Sequence, residues 1–353
     1  MSNYPSKCWY TAAMSDEIST TPVSRRLLGQ DVVLWRGGDG CVNAFENRCA
    51  HRGFPLSHGF VENGQLVCGY HGCTYSSTGE CVHIPSQPHV PTGMRVPVYP
   101  IIEDPPFIWI WLGPPTGAAT GRPPTVPWVN DPQWDTFTSF WPVGANYLMV
   151  HEHYLDLSYA HAGDSTDGIS RPTVNDVETT ETTVSYTRTL PDAPLADWEA
   201  DAMGLDRHTA ARRREFGTFA SPALHLRRWD VHAPSGEIYS TSRVHAITPE
   251  TDTSTHVFLA VARNYAPGQE SVTNRLKSSM DDVVRQDISI LEMASDHSGY
   301  DRWRTGSEFQ ADEAVVRVRR IVSVMLTNEA TADRSASVLN GEPSRPDLPL
   351  GAP

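Results

Sequence analysis

No apolar run in the 353-residue chain approaches the length of a membrane span, and the opening Met1-Ser-Asn-Tyr-Pro-Ser-Lys7 has no signal-peptide core. Basic residues are outnumbered. The 28 Lys and Arg face 42 Asp and Glu, a net charge of −14 that argues against a nucleic-acid or anionic-membrane partner. The same acidity permits docking to a basic face of a partner protein. Cysteine is sparse. Of the six, Cys8, Cys41, Cys73 and Cys81 lack the spacing of a disulfide framework and are expected to be reduced packing residues in a cytoplasm. No internal repeat is found. What is present, 39% hydrophobic and 20% charged residues over a length sufficient for two cores, suits a globular two-domain protein.

The remaining two cysteines sit in the most informative stretch. Cys49-Ala-His51 is followed, after sixteen intervening residues, by Cys68-Gly-Tyr-His71. Two Cys and two His suit zinc, but zinc fingers of that composition usually run Cys-Cys then His-His. The order Cys-His then Cys-His suits a [2Fe–2S] cluster with one iron on the two thiolates and the other on the two imidazoles. Neutral ligands raise the reduction potential, which fits a cluster that accepts an electron and passes it on. Gly53, Gly59, Gly69 and Gly72 flank the ligands, where sulfides need close backbone approach.

Along the chain, residues 7–112 read as short strands broken by turns. Asp31–Arg36 alternates, Gly37-Gly-Asp-Gly40 signals a hairpin, and Phe107–Leu112 is a closing apolar strand. Residues 113–127 are a Pro- and Gly-rich linker. Asn146–His161 has helical character, and strands are expected at 174–190, 223–232, 237–247 and 255–265. A charged helix at about 195–216 would carry Arg212-Arg-Arg-Glu215 on a solvated face, with long helices at 271–296 and 311–327. The expected domains are 1–115, 116–330 and a mobile tail, 331–353.

Cys49-Ala-His-Arg-Gly-Phe-Pro-Leu-Ser57 and Cys68-Gly-Tyr-His-Gly-Cys-Thr-Tyr75 together resemble the Rieske iron–sulfur proteins. Over nearly the whole chain the sequence resembles the Rieske non-haem iron oxygenases, in the branch of vanillate and dicamba O-demethylases. Cys81-Val-His-Ile-Pro-Ser-Gln87, Thr248-Pro-Glu-Thr-Asp-Thr-Ser-Thr-His256, Gln286-Asp-Ile-Ser-Ile-Leu-Glu292 and Asp312-Glu-Ala-Val-Val-Arg-Val-Arg-Arg320 carry this likeness. The resemblance implies an α+β chain, an all-β Rieske domain followed by a helix-grip-like catalytic domain with an antiparallel sheet and helices. It also implies a homotrimer and a mononuclear Fe(II) held by two His and one carboxylate, with positions left for O₂.

The iron ligands are where the sequence departs from that family. Its pattern, Asn-x-x-Asp-x-x-His-x-x-x-x-His, laid on this chain without a gap, puts His153 on the Asn and Asp156 on the bridging Asp. Tyr159 and Asp164 then fall where the two His belong. The carboxylate maps onto Asp287. Three arrangements stay open. His153 and His161 supply the imidazoles through a shortened turn, or Tyr159 or Asp164 coordinates, or the mononuclear iron is missing and the pocket does something else. His151 and His153, two apart on a helix, point to different sides, so at most one aims at the metal.

The implied activity is that of a terminal oxygenase. Electrons from a ferredoxin and reductase reach the cluster, and Asp156 bridges a cluster imidazole to an iron ligand. O₂ then hydroxylates or demethylates a small aromatic or cyclic substrate. Tyr239, Arg243, His245, Asn264 and Tyr265, on the expected strands, are pocket candidates. The rival is a Rieske-family protein with a lost or rebuilt iron site that transfers electrons, binds a ligand or runs a non-oxygenase reaction.

Overall fold

Short strands and glycine turns build the first third of the chain, in keeping with the sequence pattern. The structure is a computed structural model that describes residues 3–119, 121–156, 173–208, 210–298, 308 and 310–339. Gln30–Arg36 pairs antiparallel with Val42–Glu46 through Arg36↔Val42, so the Gly37–Gly40 segment is the hairpin turn, with Gly40 at φ 80°. Trp9–Met14, Phe107–Trp111 and Ile101–Asp104 form a second sheet. A third, four-stranded sheet pairs Phe60–Glu62, Gln65–Val67, Thr74–Tyr75 and Cys81–His83. Cys41, expected to pack, is exposed, whereas Cys73 and Cys81 are buried.

Beyond residue 134 one antiparallel sheet dominates. Its strands are β1 (Asp135–Val143), β2 (Thr173–Thr179), β3 (Val184–Ala193), β4 (Ala211–Ser221), β5 (Leu224–His232), β6 (Ile238–Thr251) and β7 (Ser254–Arg263). They lie in the order β1-β7-β6-β5-β4-β3-β2. The helices are α1 (Tyr147–Leu155), α2 (Asp197–Met203), α3 (Glu270–Ser298) and α4 (Glu313–Leu339).

Side chains alternate across the strands, so the sheet has two working faces. Leu224, Val244, Ala246, Phe258 and Ala260 point to one side and pack on Trp9, Met14, Phe107, Trp109 and Trp111. Leu259 and Val261 point to the other and pack on Leu276, Met280 and Val284 of α3. The N-terminal strands cover one face of the sheet and the helices the other, and at one edge Tyr10, Ala12 and Ile110 share a core with α1 and α4.

Several expectations need correction. The helix foreseen at 195–216 is only α2, and Arg212–Glu215 lies on strand β4, where Glu215 is fully buried rather than solvated. The run of four charges hides a period-2 alternation whose inward member happens to be charged. The strand foreseen at 174–190 is a hairpin of β2 and β3, and β1 was not foreseen. The helix expected at 311–327 continues to Leu339, so the expected tail begins as helix. Among the described residues no helix is long and apolar enough to cross a membrane.

Candidate metal centres

The two cluster loops are built from backbone turns. Gly53 N–H donates to Cys49 O at 2.8 Å and Gly72 N–H to Cys68 O at 3.0 Å, each glycine with φ near 70° (68° and 72°). Such a backbone favours glycine. The loops also touch. A Cβ at Gly59 would fall 2.0 Å from Val67 O, and one at Gly69 2.4 Å from His58 O, so neither position tolerates a side chain without moving a loop. Cys49 and Cys68 are buried, while His51 and His71 are exposed with ring centroids 4.7 Å apart. Tyr75 Oη lies 3.1 Å from Cys49 Sγ and accepts from Ala50 N–H at 3.1 Å. Burial pushes the Cys68 thiol up, opposed by backbone hydrogen bonds from Tyr70 and His71. Thiols inside, imidazoles outside and N–H groups aimed at sulfur fit a cluster with a buried and an exposed iron.

The candidate second centre lies where α1 meets α3. Asn146 caps α1, its side chain accepting from Leu148 N–H at 2.9 Å and donating to Asp252 O at 2.9 Å. Arg319 of α4 grips Glu152 through Nε and Nη2 at 2.7 and 2.8 Å, and Glu292 of α3 accepts from Gly144 N–H at 2.9 Å. So held, His153 Nε2 lies 3.1 Å from Asp287 Oδ1. That approach lacks hydrogen-bond geometry, for buried Oδ1 has no hydrogen-bond partner among the described residues. Two donor atoms each about 2.1 Å from one ion at right angles lie about 3 Å apart, so this pair fits a shared metal. Among the described residues no three Cys, His, Asp or Glu side chains form a single-ion site. Tyr159, His161 and Asp164 lie outside the described residues. Asp156 is the C-cap of α1 with extended backbone, so it leaves the helical face that carries His153.

His151, as its spacing requires, turns the other way. Its Nε2 lies 3.0 Å from Pro222 O, and burial lowers the imidazole to about 4. It faces His225 of β5 and His245 of β6, directly opposite each other across the strands. Burial holds both well below the ordinary histidine value, with each other's charge adding for His225 and the Arg227 charge for His245. Tyr154 stacks on His245 at 4.1 Å between centroids, and burial raises its phenol, with the Asp287 charge adding to it. His225, Tyr154 and Arg227, which lies opposite the pocket candidate Arg243, escaped the sequence reading. Their signal, polar residues at i and i+2 on two strands, needs the register to become visible.

Beside them lies a compensated charge cluster. Glu215 Oε1 accepts from Tyr186 Oη at 2.8 Å and Arg227 Nη2 at 2.7 Å, and Oε2 from Arg188 Nε at 2.6 Å. Burial pushes the Glu215 carboxyl up, but Arg227 and Arg188 more than offset it and hold it at about 2. Gly217 makes room, since a Cβ there would meet the Tyr186 ring at 2.1 Å. Arg243 makes no hydrogen bond in this network, although the Glu215 and Asp287 charges act to raise it. It stacks over Trp229 at 4.0 Å, and its buried Nε has no hydrogen-bond partner among the described residues. Burial and then the Arg227 charge lower it to about 10. A cation–π contact contributes about 0.5–2 kcal/mol, less than the several kcal/mol that desolvating an unpaired ion costs. Of the other pocket candidates, Asn264 Oδ1 accepts from Ser240 N–H at 2.7 Å, and Tyr239 packs edge-on to Tyr265 away from this cluster.

Fold and site define a Rieske-type oxidoreductase, and comparison with known proteins agrees. Residues 8–100 match the Rieske [2Fe-2S] domain, and residues 143–328 match the vanillate O-demethylase oxygenase C-terminal domain. The toluene-4-sulfonate monooxygenase system iron-sulfur subunit TsaM1 of Comamonas testosteroni is 30% identical over 81% of this chain and 86% of its own length. The vanillate O-demethylase oxygenase subunit of Pseudomonas sp. (strain HR199) is 28% identical over 95% of this chain and 98% of its own. The crystal structure of dicamba monooxygenase bound to 3,6-dichlorosalicylic acid superposes with a TM-score of 0.85 at 27% identity, covering 93% of this chain and 99% of that one. The chain belongs to the vanillate O-demethylase oxygenase family of Rieske oxygenase components.

Proposed function

We propose that this chain is the terminal oxygenase of a multicomponent system, hydroxylating or O- or N-demethylating a small aromatic or cyclic substrate with O₂ and electrons from a ferredoxin and reductase. The observation that carries it is the 3.1 Å approach of His153 Nε2 to Asp287 Oδ1, which has no hydrogen-bond partner among the described residues, on two helices that pack on the His245 and Leu259 face of the sheet. His153 and Asp287, with His161, are the residues to hold a mononuclear iron, and Cys49, His51, Cys68 and His71 those to hold the cluster. When bound, these groups supply stored electrons and O₂ activation. The chain supplies position and exclusion of water. Glu152–Arg319 and the Asn146 cap fix α1, and the buried neutral imidazoles of His225 and His245 line the approach without adding charge.

Asp156, at the exit of α1, is the residue proposed to pass hydrogen bonding between a cluster imidazole of a neighbouring subunit and the iron site, and Tyr159 a further active-site group. The assembly is a cytoplasmic homotrimer in this reading. Hydroxylation consumes O₂, two electrons and two protons and releases water. On a methoxy or N-methyl carbon the product collapses to formaldehyde. The test is iron and sulfide analysis of anaerobically reconstituted protein, followed by O₂ uptake with reductant and a panel of methoxy and N-methyl aromatics. About three irons per chain and substrate-dependent O₂ uptake with formaldehyde or phenol release support the reading. About two irons and no uptake favour the electron-transfer rival.

A further inference from the structure

Asp252 and Thr253 make the two-residue turn between β6 and β7. The far N-terminal end of the chain closes on that turn. Asp252 Oδ1 accepts from Tyr4 Oη at 2.6 Å and Oδ2 from Asn3 Nδ2 at 2.9 Å, across 248 and 249 residues of sequence. The backbone carbonyl of the same Asp252 accepts from Asn146 Nδ2, the bond that ties down the N-cap of α1. Tyr4 also reaches α1 directly. It is 8% exposed, and its ring meets that of Tyr147, the first residue of the helix, edge-on with centroids 6.1 Å apart. Burial and then the bond to Asp252 push the Tyr4 phenol up, so it remains a donor. The segment is anchored behind as well. Glu329 of α4, a buried carboxylate, accepts from Ser6 N–H at 2.8 Å, Ser6 Oγ at 2.9 Å and Lys7 N–H at 3.0 Å. Pro5 O accepts from Tyr10 Oη at 2.8 Å.

A nine-residue helix does not hold its own place in water, so its position comes from such ties. His153 lies seven residues beyond the cap, about 10 Å along the axis, and a tilt at the cap therefore displaces its imidazole. A metal site tolerates displacements of only about 0.5 Å in its ligands. We infer that Tyr4, assisted by Asn3, is a positioning residue for the candidate iron site. It fixes the Asp252 turn, the turn fixes the cap of α1, and the cap fixes where His153 stands beside Asp287. The hydroxyl acts on a carboxylate, which makes the bond stronger than one between neutral partners. The inference rests on the oxygenase reading for the iron, whereas the hold on α1 can be read without metal.

The experiment mixes the anaerobically reconstituted full chain with the Fe(II) chelator ferrozine and follows release of the second iron beside cluster absorbance. Amide hydrogen exchange is measured on the same proteins without the second iron. Tyr4→Phe deletes the hydroxyl and keeps the ring against Tyr147. It is expected to release the second iron roughly fivefold faster and to speed exchange in α1, with cluster absorbance and exchange in β5 unchanged. Asp252→Ala is expected to do at least as much, and Tyr4→Phe combined with Asp252→Ala no more than Asp252→Ala alone, because both cut one path. Asp252→Asn, which keeps an acceptor for Tyr4, is expected to restore slow release. Wild-type release and exchange in both single variants overturn the inference, as does an Asp252→Asn chain no better than Asp252→Ala. So does loss of iron and cluster in step with exchange rising everywhere, which would make Tyr4 a general stabiliser. Either faster release or faster α1 exchange without the other breaks the proposed route. If the wild-type chain takes up only about two irons, the oxygenase reading fails and exchange alone decides the role of Tyr4. If the second iron binds and neither readout moves, the role of Tyr4 fails and the oxygenase reading stands.

Discussion

At the scale of single residues, chemistry follows from which atoms are left unsatisfied. Cys68→Ser removes a thiolate from the buried side of the cluster and is expected to abolish the visible Rieske absorption and the rhombic spin signal. A variant retaining both would refute the ligand assignment. Asp287→Ala is expected to lower iron by about one atom per chain with the cluster spectrum intact, by metal analysis beside visible spectroscopy. Glu215 gives a stability prediction with a definite sign. Its carboxyl is depressed in the fold from 4.5 to about 2, so its contribution is complete above the unfolded value and disappears as pH falls toward 2. That contribution is on the order of 3 kcal/mol, and Glu215→Gln should forfeit it above pH 5 while converging on wild type in acid. Urea midpoints across pH check it.

At the scale of elements, α1 is the part whose placement matters most. It is nine residues long and is held by its cap and by the Arg319–Glu152 pair more than by propensity. Asn146→Ala removes an N-cap worth about 1 kcal/mol and also the tie to Asp252. The expected result is a mononuclear iron content that falls well before the cluster does, since the cluster loops hang from separate strands. Iron per chain against cluster absorbance during a chelator titration reads this directly. Equal loss of both metals would mean that α1 does not position the iron site. The same element brings His151 up to His225 and His245, all held neutral by burial. Their depressed values stabilise the fold fully above pH 6.5, and that stability drains away as pH falls below it.

At the scale of the whole molecule, the exposed imidazoles His51 and His71, beside the 59% exposed Tyr70, open the cluster edge to another protein. Two partners compete for that edge in the proposed cycle, the electron donor and a neighbouring subunit. If electrons cross between subunits, mixed oligomers of Cys68→Ser and Asp287→Ala chains should regain activity that neither homo-oligomer has. Mixed assemblies as inactive as the parents would place the transfer within one chain. Reduction by the donor should slow as salt rises if the net charge of −14 steers docking to a basic face.

The cluster was legible in the sequence because its proposed ligands lie within twenty-three residues, on loops whose turns are set by neighbouring glycines. Local spacing and backbone chirality suffice for such a site. The hairpin at Gly37–Gly40 and the long helices were legible for the same reason, since period and turn chemistry are local. The candidate iron site was legible only through the family resemblance, which offered His153, His161 and Asp287 but not their geometry. His153 and Asp287 are 134 residues apart and meet only because α1 and α3 pack on the same face of one sheet. Glu215 was misplaced because a charged run looks solvated until strand register supplies Arg188, Arg227 and Tyr186 as partners. Arg243 was readable as a pocket candidate, but its place opposite Arg227 became visible only with that register. The sequence by itself determined the kind of electron carrier; the tertiary structure decided which charges meet, because pairing depends on neighbours that only folding creates.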